Sequence, residues 1–129
     1  MRDHNQLRAF ELADERAIMI YKITRSFPKD EIYGLTSQMR RAGVSVASNI
    51  DEGCARKSQN DYCRFLEMAY GSLRELQYQF GLSVRLGYIG DQEAQEGNFK
   101  TGGIGKGTCS ADQESAKFLN SKGSSNLIV

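Results

Sequence analysis

Five basic side chains, Arg40, Arg41, Arg56, Lys57 and Arg64, cluster around the second predicted helix and the turn that follows it. Arginine suits phosphate because its planar guanidinium donates two parallel hydrogen bonds. Tyr62 and Tyr70 add rings on which exposed bases can stack. The chemistry open to this set is binding of a nucleic-acid backbone. Asp51, Glu52 and Asp61 are interleaved with the cations, so a solvated or intersubunit salt-bridged face is an equal reading. No RNA-binding consensus accompanies them.

A polar stripe, Gln38, Arg41, Ser45, Asn49, Glu52 and Arg56, recurs at three- and four-residue steps and so occupies one helix face. Glu52 and Arg56 have the spacing of a favourable i,i+4 pair. The stripe reads either as an RNA or partner surface or as a hydrogen-bonded seam within the bundle or between subunits. The seam is the stronger reading, because buried polar groups commonly serve packing specificity. Ser72 and Glu75 would complete it from the third helix, with Glu75 reaching Arg41 or Asn49.

Other chemistries lack material. Glu52, Glu67 and Glu75 are not accompanied by the Glu-x-x-His pairs of di-iron bundles, so no metal and no cofactor is expected. His4 is the single histidine, which leaves a Ser-His-Asp triad without its base, and no catalytic residue is assigned. Gly102 to Gly107 is glycine-rich with Lys106 but has neither the strand nor the helix of a phosphate loop. Gly71-Ser72 costs helix stability and is read as a site of close helix approach. Cys54, Cys63 and Cys109 have no CxxC spacing. An odd count without a secretory signal reads as free thiols in a reducing cytoplasm, with Cys54 and Cys63 as packing residues.

The elements that would position these residues are helical. The 129 residues are 40% hydrophobic and 26% charged, enough for one ordinary core. Net charge is +1, so any polyanion surface is local. No apolar run approaches the roughly 20 residues of a bilayer span, and no membrane partner is expected. Phe10, Ala13, Ala17, Ile20, Tyr21 and Thr24 mark a first helix over Gln6 to Phe27, stopped by Pro28. Leu35, Met39, Ala42, Val46, Ile50 and Gly53 mark a second over Tyr33 to Cys54. Its stretch from Ala42 to Ser48 is rich in small residues, a poor helix by propensity that tertiary packing must support. Tyr62, Leu66, Ala69, Leu73, Leu76, Phe80 and Val84 mark a third over Gln59 to Leu86, with Ser58 as N-cap and Gly87 as C-cap. A fourth helix begins at Gln92 and stops at Glu96. From residue 97 onward, glycine and serine dominate without apolar period, and the segment 97–129 is expected to be a largely disordered tail. The fold expected is all-α, an antiparallel up-down bundle over 1–96 with three long helices and a degraded fourth.

The middle of the chain carries Phe27-Pro28-Lys29-Asp30-Glu31, Leu35-Thr36-Ser37-Gln38-Met39-Arg40-Arg41-Ala42, Asn49-Ile50-Asp51-Glu52-Gly53 and Ala69-Tyr70-Gly71-Ser72-Leu73-Arg74-Glu75-Leu76. In these elements, their order and their spacing, residues 7–96 resemble the four-helix-bundle proteins encoded in 23S rRNA intervening sequences. The resemblance implies an up-down four-helix bundle assembled as a ring-like homo-oligomer, pentameric in the family. It also implies a bacterial, cytoplasmic, non-enzymatic protein associated with rRNA or another structured nucleic acid. Relatives include the accessory protein of diversity-generating retroelements, which binds a reverse transcriptase and nucleic acid, an analogy at the level of fold. A protein-interaction scaffold, or a decaying passenger of a mobile insertion without a cellular task, is the alternative class.

Two departures stand out. Asp51 replaces the family's usual alanine, and the family's fourth helix is missing after Glu96. A frameshift accounts for the second. Read one base later, and with permitted codons, the segment from Gly97 spells VTSKLEESARVLVRLIKN, which has the amphipathic period of the missing helix. The gene is expected to contain that helix in the neighbouring frame, and a coding sequence without it rejects the idea.

Overall fold

Apolar residues at three- and four-residue spacing fold here as the helices their period specifies. The computed structural model describes residues 4–97. Helix α1 spans His4–Ile23, α2 Leu35–Cys54, α3 Gln59–Arg85, and a short α4 Asp91–Glu96. No strand occurs among the described residues. At 27 residues, α3 is about 40 Å long. The glycine- and serine-rich segment beyond residue 97, with its proposed change of frame, lies outside the described residues.

The helix ends have local causes. Helix α1 stops short of Phe27 because the chain tightens into a 3-10 turn at Thr24–Ser26. The Thr24 hydroxyl donates to the Ile20 carbonyl at 2.7 Å, satisfying a terminal acceptor. Phe27 is extended at φ −68°, ψ 155°, as a residue before proline prefers. At the start of α3, the Ser58 hydroxyl accepts from the Asp61 amide at 3.1 Å, the cap expected from the sequence. At its end, Gly87 adopts φ 83°. Its amide donates to the Val84 carbonyl, and the Tyr88 amide donates to Ser83. This is a Schellman closure, which favours glycine at the left-handed position.

Glu31 organises the α1–α2 connection. One carboxylate oxygen accepts from the Leu35 amide at 2.9 Å and so caps α2. The other accepts from the Tyr88 hydroxyl at 2.9 Å. The Tyr88 ring packs 5.3 Å from Phe27. The Phe-Pro-x-x-Glu element thus ties the first turn to the C-terminal end of α3. The backbone hydrogen bond from Leu35, and then that from Tyr88, hold the Glu31 carboxyl below its ordinary value.

Helix α2 is the centre of the bundle and packs extensively on both α1 and α3. Partners run in opposite order along it. Arg41 meets Glu75, Ser45 meets Ser72, and Gly53 lies against Phe65, so α2 and α3 are antiparallel. Arg40 meets Thr24 and Gly43 meets Ala17, so α1 and α2 are antiparallel too. Two apolar clusters result. One joins Ala13, Val46, Ile50, Tyr62, Leu66 and Leu73. The other joins Ile20, Phe27, Met39, Leu76, Phe80 and Ile89. Burying each large side chain is worth about 1.5–3 kcal/mol.

Close approach occurs at Gly43 and Gly53, and not at Gly71. A β-carbon on Gly53 would come 2.9 Å from the Phe65 β-carbon. One on Gly43 would sit 3.6 Å from the Ala17 α-carbon. Gly71 is exposed with open space around its missing side chain, so of the Gly71-Ser72 pair read as a site of close helix approach only Ser72 meets α2. The thiol expectation also changes. Cys54 is half-buried and outside any disulfide, whereas Cys63 is disulfide-bonded. An odd cysteine count constrains the redox environment but not which sulfurs the fold brings together.

Gly71→Ala should stabilise the protein by about 0.5–1 kcal/mol, because it adds helix propensity in open space. Gly53→Ala should lower the melting temperature, because it forces α3 away from α2. A depressed glutamate pKa contributes stability above the ordinary value of 4.5, and that contribution is lost as pH falls through the lower folded value. Thermal melts of Glu31→Gln from pH 7 to pH 2 should therefore show a flatter acid limb than the parent. Parallel curves would remove Glu31 from that role.

Candidate nucleic-acid interface and polar seam

The five cations do not form one patch. Arg40 and Arg41 are neighbours in sequence but about 100° apart around α2. Arg40 turns towards α1. Its Nε donates to the Thr24 hydroxyl at 2.8 Å and its Nη2 to the Tyr21 carbonyl at 3.4 Å. Its guanidinium carbon lies 4.7 Å from the Tyr21 ring centroid. Arg41 turns towards α3 and pairs with Glu75 at 3.1 Å. Arg40 is therefore committed to holding α1 on α2, with two of its five N–H donors used there. Arg41 is 13 residues, about 20 Å, from the end of α2 at Cys54, and Arg56 lies beyond that end.

Arg56, Lys57 and Arg64 are the set that the fold does gather, at the α2–α3 turn. Arg56 and Lys57 sit in the exposed turn itself, and Arg64 is in the first turns of α3. The Arg56 guanidinium lies 4.8 Å from the centroid of the Phe65 ring, and that of Arg64 lies 5.2 Å from the same centroid. Phe65 is buried, so a core ring holds two exposed guanidiniums at one end of the bundle. Cation–π contact at exposed sites is worth about 0.5–1 kcal/mol, enough to bias orientation. Arg64 also pairs with Asp61 at 3.2 Å. The Glu52–Arg56 pair expected from spacing is not formed, since Arg56 turns to Phe65 instead. Asp51 and Glu52 are exposed on the last turn of α2.

The polar stripe forms a seam between α2 and α3. Arg41 donates to Gln38 at 3.3 Å and to Glu75 at 3.1 Å. The Ser45 and Ser72 hydroxyls are 2.8 Å apart. The Asn49 amide donates to the Ser45 carbonyl at 2.9 Å and to its hydroxyl at 3.1 Å. Gln79 joins the seam, donating to Glu75 at 3.2 Å. Sequence reasoning passed over Gln79, although its place four residues after Glu75 is a signal. Glu52 stands outside this network. The seam is part-buried at the serines and exposed at Arg41 and Glu75. An exposed ion pair of this kind is worth about 0.2–1 kcal/mol.

A second stripe of α3 was also missed. Met68 and Tyr78 are exposed on it and Leu86 is exposed at its C-cap, with Leu82 half-buried. They recur with Gly71 and Glu75 at three- and four-residue steps, so they flank the seam. The Arg85 guanidinium lies 6.0 Å from the Tyr78 ring centroid. The signal was hidden because Glu75 interrupts the apolar run. Among the described residues, no three His, Cys, Asp or Glu side chains gather into a cluster that could hold a metal ion. Nor is any described helix long and apolar enough to cross a membrane.

The model of one protein family, the 23S rRNA-intervening sequence protein, matches residues 5–109. The span is longer than the 7–96 carried by the motifs, and it includes part of the segment attributed above to a changed frame. No curated protein matches the chain. The helical order, the Phe-Pro-x-x-Glu latch and the α2–α3 seam are built from the residues that suggested the resemblance, and the match spans most of the chain: it belongs to the 23S rRNA-intervening sequence protein family.

Proposed function

We propose that this protein is a non-enzymatic cytoplasmic bundle that assembles as a ring-like homo-oligomer and associates with rRNA or another structured nucleic acid. The observation that carries the reading is the convergence of Arg56 and Arg64 on Phe65, with Lys57 beside them, at one end of the bundle. The family's name supplies the nucleic acid for which such a patch is suited. A patch of three cations on a chain of net charge +1 is weak alone. Repeated around a ring it becomes multivalent, and linked weak contacts multiply affinity without new chemistry. Arg56 and Lys57, both exposed in the turn itself, are the residues assigned most of the phosphate contact. The surface assigned to assembly is the seam with its exposed neighbours Met68, Tyr78 and Leu86.

That same apolar stripe favours a second reading, a scaffold that binds protein rather than RNA, since exposed apolar patches mark interaction sites. Light scattering on a size-exclusion column, with and without a structured rRNA fragment, separates the two. The proposal expects a defined oligomer whose mass rises with RNA. Its affinity should fall with salt at a slope of roughly 0.9 per phosphate contact. Charge reversal of Arg56 and Lys57 together should weaken binding at least tenfold and reduce the slope, with an unchanged melting temperature. An oligomer indifferent to RNA supports the scaffold. A monomer that ignores RNA rejects both and leaves the decaying passenger.

A further inference from the structure

We propose that Tyr33 is a base-stacking platform for single-stranded nucleic acid, placed in the α1–α2 connection at the far end of α2 from the basic turn. The inference rests on the nucleic-acid reading above and adds to it a second contact of different chemistry.

A protein that holds an unpaired base needs an aromatic face open to it. Five of the six tyrosines offer none that is fully open. Tyr62 and Tyr70 have the types and places for stacking in the sequence, but Tyr62 is fully buried and Tyr70 half-buried. Tyr88 packs on Phe27 and donates to Glu31. Tyr21 and Tyr78 have the guanidiniums of Arg40 and Arg85 over their rings. Tyr33 is 92% exposed.

The local sequence explains why this ring stands clear. Successive turns fold residues 28–34 tightly. The Glu31 amide donates to Pro28 at 3.0 Å, the Ile32 amide to Lys29 at 3.2 Å and the Gly34 amide to Glu31 at 2.9 Å. The neighbours that could cover the ring are engaged elsewhere or have no side chain. The Glu31 carboxylate is held by the Leu35 amide and the Tyr88 hydroxyl. Gly34 has no side chain, and a β-carbon there would run into that carboxylate. The latch thus fixes the backbone that carries Tyr33, so stacking has only the two side-chain torsions left to order. Ile32, 52% exposed, adds apolar surface beside the ring.

The surrounding charge suits a polyanion. Lys22, Arg25 and Lys29 are exposed at this end of the bundle, and none forms an ion pair among the described residues. The opposing acids of the connection are Asp30 and Glu31, and Glu31 is already held by two donors. A bilayer surface would share this taste for tyrosine and cations, but membrane attachment scales with buried apolar area, and Ile32 is a single aliphatic chain. Helix α2 has 20 residues, so Tyr33 and Arg56 stand about 30 Å apart along it. A strand that touches both runs the length of α2.

The test is fluorescence anisotropy of a fluorescein-labelled oligouridylate titrated with the full chain at several salt concentrations. Tyr33→Ala should weaken binding at least about fivefold, and Tyr33→Phe should bind like the parent. Neither should move the melting temperature. Lys29→Ala should reduce the salt slope by about 0.7, one phosphate contact on a single strand. A Tyr33→Ala variant that binds like the parent overturns the platform, as does a Tyr33→Phe variant as weak as Tyr33→Ala. Tyr33-dependent cosedimentation with phosphatidylserine vesicles, without oligouridylate binding, assigns the ring to a membrane and overturns it too. A parent that binds a structured rRNA fragment but not oligouridylate overturns the platform and leaves the basic turn standing. A parent that binds neither overturns both.

Discussion

Helix α2 can serve two neighbours because small residues let both close upon it. At Gly43 the α1 backbone comes within ordinary contact of where a β-carbon would stand, and at Gly53 the room is already taken by Phe65. Ala42, Ala47 and Val46 fill the intervening faces. Any larger residue at Gly53 separates α3 from α2 and opens the cluster around Tyr62 and Leu66. The low helix propensity of this stretch is thus the cost of close packing, recovered as buried area on both sides.

The same central placement decides the fate of the charged residues. Arg40 and Arg41 lie on the two edges of α2, so each is captured by a different neighbour. One stabilises the α1 contact through Thr24 and Tyr21, and the other enters the seam with Glu75. Cations beyond the end of α2 are placed differently, with Arg64 paired to Asp61 in its own helix. Arg56 and Arg64 lie against the Phe65 ring, and both stay exposed. The division between structural and available cations follows from position along the helix and not from residue type.

The two ends of the bundle are built differently. At one end Glu31, Tyr88 and Phe27 form a closed latch joining the first turn to the end of α3. That end is tied down by a carboxylate with two donors and by aromatic contact. At the other end the α2–α3 turn is short, polar and exposed, with Ser58 capping α3 and the cations fanned around it. A rigid latch at one pole and a basic turn at the other is an arrangement suited to presenting the turn from a fixed support.

Much of this was written in the sequence, for reasons that are local. Helix period, the Ser58 cap, the Gly87 closure and the stop at Pro28 depend on neighbours within a few residues. The contents of the polar stripe were legible too, because three- and four-residue spacing puts residues on one face whatever surrounds the helix. What the tertiary structure decided is partner choice. Glu52 and Arg56 have the spacing of an ion pair, yet the ring of Phe65 from the next helix wins the guanidinium. Gly71 and Gly53 look alike in sequence, but only Gly53 faces another backbone. Five cations read as one patch became two structural contacts and one basic turn. Cysteine counting implied three free thiols, and the fold bonded Cys63. In each case the sequence set which groups lie on a face, while the packing of α1 and α3 on α2 set what that face meets, because contact between distant residues depends on the whole chain's geometry.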